Sequence, residues 1–114
     1  MKTKDEMVLK KIAQYAEQIE EAGKMFHCSK QEFIDSSVYR NACCMCILQI
    51  GELCKVLSDE AKTQYPAISW KEWCGIRDIF AHQYDNLDVE SAWKTITVDL
   101  PLIKETVRIM LDEL

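Results

Sequence analysis

An arginine, a histidine and a tyrosine stand close together in the stretch RDIFAHQY, at positions 77, 82 and 84. Arg77 carries a planar fork of N–H donors that suits a phosphate group. His82 has an ordinary pKa of about 6.5, so its imidazole can take up and release protons near neutral pH. Tyr84 adds a hydroxyl group. These residue types suit chemistry at a phosphodiester, which needs a base, an acid and positive charge on the phosphate.

The spacing decides which of these side chains can meet on one helix. Arg77 and Tyr84 share a face, whereas Arg77 and His82 point about 140° apart on an ideal helix. Asp78 lies one turn before His82, where its carboxylate can hold one imidazole nitrogen and fix the tautomer. If the helix ends near Ala81, His82 can swing toward Arg77. The same residues also fit a solvated helix end, so spacing alone does not identify a catalytic site.

The amino-acid composition limits the possible folds and cellular compartments of the chain. A chain of 114 residues with 48% hydrophobic residues predicts one domain, spanning 1–114, with its own core. Only three glycines and two prolines interrupt it, which favours helices. The net charge of −5 argues against coating nucleic acid by bulk attraction. The charged start, MKTKDEMVLKK, and the lack of a long apolar run predict a cytoplasmic protein that does not enter membranes.

Capping signals divide the chain into helices. Three capping boxes are predicted: Thr3 with Glu6, Ser29 with Glu32, and Ser69 with Glu72. Two further helices are predicted to start at Ser36 and Ser58. Gly23 is expected to end the first helix. Asp85, Asn86 and Asp88 predict a turn and cap after the motif helix. We therefore expect an all-α, up-and-down bundle of four to five helices.

The helix expected over residues 37–57 is apolar on two sides. One stripe contains Cys43, Ile47, Ile50, Cys54 and Leu57, and a second contains Ala42, Cys46, Leu53 and Val56. Such a helix is either central in the bundle or covered by another chain. The C-x-x-C pair inside it favours core packing, although redox or metal chemistry stays an alternative.

The last helix is predicted from one long stripe: Trp93, Ile96, Leu100, Ile103, Val107, Met110 and Leu114. Pro101 lies inside it and removes a backbone donor, which predicts one kinked helix. Asp99 offers an alternative, in which it caps a separate helix.

Three segments carry a resemblance to a known family: IGELCKVLSDE, YPAISWKEWCGIRDIFAHQYDNLD and WKTITVDLPLI. The chain closely resembles the HepT-like branch of the HEPN proteins over roughly residues 30 to 105. The matching motif positions, in order, are Ile50, Gly51, Glu52, Pro66, Ile68, Trp70, Arg77, His82, Tyr84, Trp93, Asp99, Leu100 and Pro101.

The resemblance implies an RNA-cleaving toxin of a type VII toxin–antitoxin system, with a HEPN-like helical bundle, that acts as a homodimer without metal or other cofactor. It implies that Arg77 and His82 are catalytic and that Tyr84 is the residue on which an MntA-type minimal nucleotidyltransferase antitoxin places adenylate. A two-fold interface would bring two motifs face to face and supply acid and base together.

The sequence leaves several roles open. Glu52 either pairs with Arg77 or is solvated. The basic residues that could guide RNA are Lys71, Lys62, Lys55 and Arg40. Trp70, Trp73 and Trp93 fit core anchors better than a base-stacking platform. The alternative function is a non-catalytic module that supports a nucleotidyltransferase or binds nucleotide.

Overall fold

The computed structural model describes the backbone of residues 2–82 and 88–114, and the side chains of residues 3–76 and 88–114. The elements are α1 (Lys2–Met25), α2 (Lys30–Asp35), α3 (Ser37–Val56), α4 (Asp59–Gln64), α5 (Trp70–His82), α6 (Val89–Lys94), a π turn (Thr95–Asp99) and α7 (Leu100–Asp112). All regular structure in the described ranges is helical, which confirms the all-α prediction. No helix among these residues has the length and apolar character needed to cross a membrane.

Serine and aspartate caps start four of these helices. The Ser29 hydroxyl accepts from the Glu32 backbone N–H at 3.2 Å, and the Ser36 and Ser58 hydroxyls make the same contact three residues ahead, each at 3.1 Å. The Asp88 carboxylate accepts from two backbone N–H groups at the start of α6. These caps were predicted correctly because each one depends on residues only three positions apart.

Two predicted boundaries of α1 are wrong. The helix already includes Lys2, so Thr3 lies inside it and does not cap it. It also continues past Gly23 to Met25. The reversal is made instead by His27 and Cys28, whose φ angles of 61° and 50° are left-handed, and the Cys28 N–H donates to the Gly23 carbonyl at 2.6 Å.

Helix α3 lies between α1 and α5 and supplies the centre of the core. Its first predicted stripe is buried throughout, from Cys43 to Leu57. The second stripe is divided, because Cys46 is buried while Ala42 and Val56 are exposed. The face of α1 that meets this core includes Leu9 and Ala16.

The C-terminal stripe forms one continuous helical element from residue 89 to residue 112, as predicted. The irregularity at Pro101 takes the form of a π turn just before it, in which the Leu100 N–H donates to the Thr95 carbonyl. Proline has no N–H for the carbonyl four residues earlier, and a wider turn is a common way to absorb that loss. Asp99 makes no side-chain capping bond, so the separate-helix alternative is wrong.

Candidate active site

Both predicted catalytic residues belong to α5. The helix begins directly after Ser69, whose carbonyl accepts from the Trp73 N–H at 3.1 Å, and His82 is its last residue. Ile68 and Trp73, which have the spacing of a hydrophobic staple around the start of this helix, are both buried. Positions 77 and 82 therefore both lie within the helix, about 140° apart on regular helix geometry.

The side chains that would carry the chemistry lie outside the described set. Arg77, Asp78 and His82 are placed by the backbone of α5, and Tyr84 lies outside the described residues altogether. Asp78 stands four residues before His82 on the same helix, as the spacing predicted. The catalytic, supporting and modification roles of these residues remain predictions.

Gly51 fixes the position of α5 against α3. A Cβ atom at Gly51 would lie 2.6 Å from Ile76 Cγ2 and 2.7 Å from the Trp73 carbonyl oxygen. Only a glycine permits this approach, because real Cβ contacts are never so short. Sequence reasoning found Gly51 only as part of a family motif; the packing gives it a physical role. The contact places Glu52, the next residue on α3, beside the segment of α5 where Arg77 follows Ile76.

Glu52 is half-buried at this crossing. Its carboxylate accepts from Lys55 Nζ at 3.3 Å, one turn further along α3. The predicted contact between Glu52 and Arg77 involves a side chain outside the described set and stays a prediction.

Three of the four basic residues proposed to guide RNA make contacts within the fold. Lys62 Nζ donates to the Cys54 carbonyl at 3.2 Å, and Arg40 donates to the carbonyls of Phe33 and Ile34. Lys55 is paired with Glu52. Lys71 is exposed near the start of α5. Among the four, Lys71 is therefore the cation best placed to meet a ligand beside the motif helix.

A cleft of about 660 Å³ opens between α5 and the C-terminal helical element. We call it the α5 cleft. Its lining includes Ile68, Lys71, Glu72, Trp73, Gly75, Ile76, Ser91, Thr95, Asp99 and Leu102. It was not predicted, because it depends on how two helices far apart in sequence pack together.

The cysteines of α3 belong to the core. Cys43 and Cys54 are fully buried, and burial raises the pKa of each thiol to about 12. Thiolates are the reactive and metal-binding form of cysteine, and these environments disfavour them. Cys46 is buried as well, which confirms the core-packing interpretation of the C-x-x-C pair, Cys43 and Cys46.

The comparisons with known proteins point to one family. The family described as "Ribonuclease HepT-like" matches residues 12–110. A Methanocaldococcus jannaschii protein named "Putative RNase MJ1380" is 33% identical over 79 residues, which are 69% of this chain and 72% of that protein. A second protein of that organism, "Putative RNase MJ0125", is 35% identical over 75 residues, 66% of this chain and 65% of the relative.

A third relative bears the family's name. "Probable ribonuclease HepT" of Thermococcus cleftensis is 38% identical over 55 residues, 48% of this chain and 50% of that protein. No solved structure matches the chain. The family match covers most of the chain, including α5 and the Gly51 crossing. The chain therefore belongs to the HepT-like ribonuclease family.

Proposed function

We propose that this protein is an endoribonuclease that cuts RNA without a metal ion, with Arg77 and His82 as its catalytic residues. The observation that carries the proposal is the position of both residues on one helix, α5, in a chain of the HepT-like ribonuclease family. Gly51 supports the assignment, because it packs α5 tightly against α3 just before Arg77 and so gives the motif a rigid base.

The chemistry follows from what these groups can bind and transfer. A neutral imidazole accepts the proton of the RNA 2′-hydroxyl while the 2′-oxygen attacks phosphorus. The bond from phosphorus to the 5′-oxygen breaks, and that oxygen takes a proton from an imidazolium. The Arg77 guanidinium binds the non-bridging oxygens, where negative charge increases in the transition state. The products are a 2′,3′-cyclic phosphate and a 5′-hydroxyl.

A homodimer would supply the second imidazole, since each motif contains one histidine. An exposed apolar face on α3 supports this assembly: Val38 is 68%, Met45 58% and Val56 45% exposed. Their spacing puts them on the side of α3 that also carries Glu52. An interface on that face places Glu52 beside the partner. We propose that the two motifs then border one cleft between the chains.

Cleavage assays on purified protein test the nuclease. The wild type is expected to cut single-stranded RNA in the presence of EDTA and to leave 2′,3′-cyclic phosphate ends. His82→Ala and Arg77→Ala should each lose about 100-fold or more in rate, since positioned acid–base groups commonly contribute that much. Circular dichroism should show that both variants fold. Equal cleavage by His82→Ala would refute the assignment.

Light scattering tests the dimer with a matched pair of variants. Met45→Glu puts a charge in the exposed face of α3 and is expected to give a monomer that does not cut RNA. Met7→Glu is the control, because Met7 is equally exposed, at 59%, but lies on α1. A monomeric wild type at micromolar concentration, or dimers in both variants, would contradict the proposed interface.

Tyr84 is proposed as the site of control by a minimal nucleotidyltransferase. Transfer of adenylate from ATP would join the tyrosine oxygen to the α-phosphorus and release pyrophosphate. We propose that the attached phosphate forms a charge-assisted contact with the Arg77 guanidinium. Incoming RNA phosphate would then meet a neutralised, obstructed site. Mass spectrometry after incubation with the partner enzyme and ATP should map adenylate to Tyr84, and Tyr84→Phe should escape silencing.

The net charge of −5 and the internal contacts of Lys62, Arg40 and Lys55 favour a second candidate function. In this candidate the chain is a non-catalytic module that supports a nucleotidyltransferase or binds nucleotide. Absence of cleavage on every RNA tested, together with co-purification of the nucleotidyltransferase, would favour the module over the nuclease.

A further inference from the structure

The α5 cleft adjoins the motif helix but lies on a different side of it from the crossing with α3. Its apolar part contains Ile68, Trp73 and Ile76 from the α5 side and Leu102 from α7. Its volume of about 660 Å³ can admit a group the size of a nucleobase.

Gly75 opens the cleft at its middle. A Cβ atom built at Gly75 would meet nothing within 4 Å, in contrast with Gly51. A glycine inside a helix weakens that helix, and no neighbour among the described residues requires this one. Open space beside a helix backbone allows a ligand to approach that backbone closely.

The charged side chains that line the cleft are two carboxylates and one ammonium group, those of Glu72, Asp99 and Lys71. Asp99 is half-buried, makes no capping bond and has no ion-pair partner among the described residues. Glu72 and Lys71 are exposed on the α5 side of the cleft. Carboxylates accept hydrogen bonds from the amino group of a base. Because the carboxylates outnumber the ammonium group, the cleft suits an uncharged base better than a phosphate.

The cleft is within reach of the predicted catalytic histidine. Gly75 and His82 are seven residues apart on α5, so their Cα atoms share one side of the helix about 10 Å apart. A base beside Gly75 would belong to a nucleotide close to the scissile phosphate.

We propose that the α5 cleft binds one base of the RNA substrate and selects a base with an amino group on its pairing edge, against uracil. Glu72 and Asp99 accept hydrogen bonds from that amino group, as carboxylates do from cytosine N4. Uracil presents the carbonyl oxygen O4 where cytosine presents its amino group, and the carboxylates repel that oxygen. The inference rests on the proposed nuclease function, and it adds specificity-determining residues to it.

Single-turnover cleavage of oligonucleotides that differ at one position near the cut site tests the selection. The wild type should cut the cytosine, adenine or guanine substrate about tenfold or more faster than the uracil substrate. In Glu72→Gln and Asp99→Asn the amide can donate as well as accept, so cleavage of the uracil substrate should rise. Loss of folding cannot produce such a gain. Glu17→Gln, an exposed change on α1, is the control and should keep the wild-type preference.

Binding measurements keep this inference separate from the nuclease proposal. Fluorescence anisotropy of the same oligonucleotides with His82→Ala should show the same preference against uracil, and Asp99→Asn added to that variant should remove it. If the wild type binds selectively but cuts nothing, the cleft assignment stands and the nuclease proposal fails. If neither binding nor cleavage distinguishes the bases, or Asp99→Asn changes neither, the cleft assignment is overturned.

Gly75→Met tests directly what binds in the α5 cleft. The added side chain should fill the cleft and weaken RNA binding while the protein remains a dimer. If light scattering instead shows a monomer, a second copy of the chain occupies the cleft, and the base-binding assignment is overturned.

Discussion

The two sides of α5 are built in opposite ways around two glycines. On the side of α3, Gly51 lets the helices approach so closely that a Cβ atom would overlap Ile76 and the Trp73 carbonyl. On the side of α7, Gly75 faces open space. The first glycine is required by the packing of the fold, and the second is not. Among the described residues, the motif helix is thus packed tightly on one side and left accessible on the other.

Gly51→Ala, which changes the tightly packed side of α5, is expected to have the largest effect on stability. Alanine gains up to about 1 kcal/mol in helix propensity over glycine. Overpacking costs about 1–3 kcal/mol, and the upper part of that range applies because one of the two overlapped atoms belongs to the backbone of α5. We expect a net loss of about 1–2 kcal/mol in the free energy of unfolding, measured by denaturant titration. RNA cleavage should fall as well, because α5 must move away from α3. An unchanged or increased stability would show that the crossing is looser than described.

Gly75→Ala should change stability in the opposite direction. Nothing opposes the added methyl group, so the helix-propensity gain of about 0.5–1 kcal/mol should appear in full. The same denaturant titration measures it, and the pair of variants gives an internal control, since both make the same chemical change in a helix. A loss of stability in Gly75→Ala would mean that the cleft is already filled by the protein itself.

The sequence predicted the parts of this architecture that depend on near neighbours. The caps at Ser29, Ser36 and Ser58 were correct, since each is a contact between residues three apart. The cap at Thr3 failed, although the same residue pattern is present there. Local pattern shows that a cap is available, but it does not determine whether the helix starts one residue earlier.

The sequence placed Arg77 and His82 on one helix, and the structure confirms that placement, while their catalytic role stays a prediction. The surroundings of these residues were not predicted. The crossing at Gly51 and the open cleft at Gly75 could not be derived, because each depends on the spacing between helices distant in sequence. Asp99 was considered only as a cap, and its half-buried position in the α5 cleft depends on the π turn that ends with it.

The smallest expected effect is a dependence of the free energy of unfolding on pH. It comes from the buried thiols of the core and not from the accessible side of α5. The thiols of Cys43 and Cys54 have ordinary pKa values of 9.0, and burial raises each to about 12 in the folded state. Below pH 9 the folded and the unfolded chain both hold these protons, so the thiols add no pH dependence to the stability. Above pH 9 the unfolded chain releases them and the folded chain keeps them, so the free energy of unfolding falls as pH rises toward 12.

Denaturant titrations at pH 7 and 9.5 measure this dependence where each buried thiol contributes more than Tyr39, whose ordinary pKa of 10.0 is higher. Cys54→Ala should be less stable at pH 7, because of the cavity, yet lose less stability between the two pH values than the wild type. Cys28→Ser is the control, since the Cys28 thiol is exposed and its removal should leave the alkaline loss intact. Cleavage by His82 should instead change around its ordinary pKa of about 6.5, where the core thiols do not titrate. If the wild type and Cys54→Ala lose the same amount of stability between pH 7 and 9.5, water reaches the Cys54 thiol in the folded protein. The contrast between the two sides of α5 would then be smaller than the packing indicates.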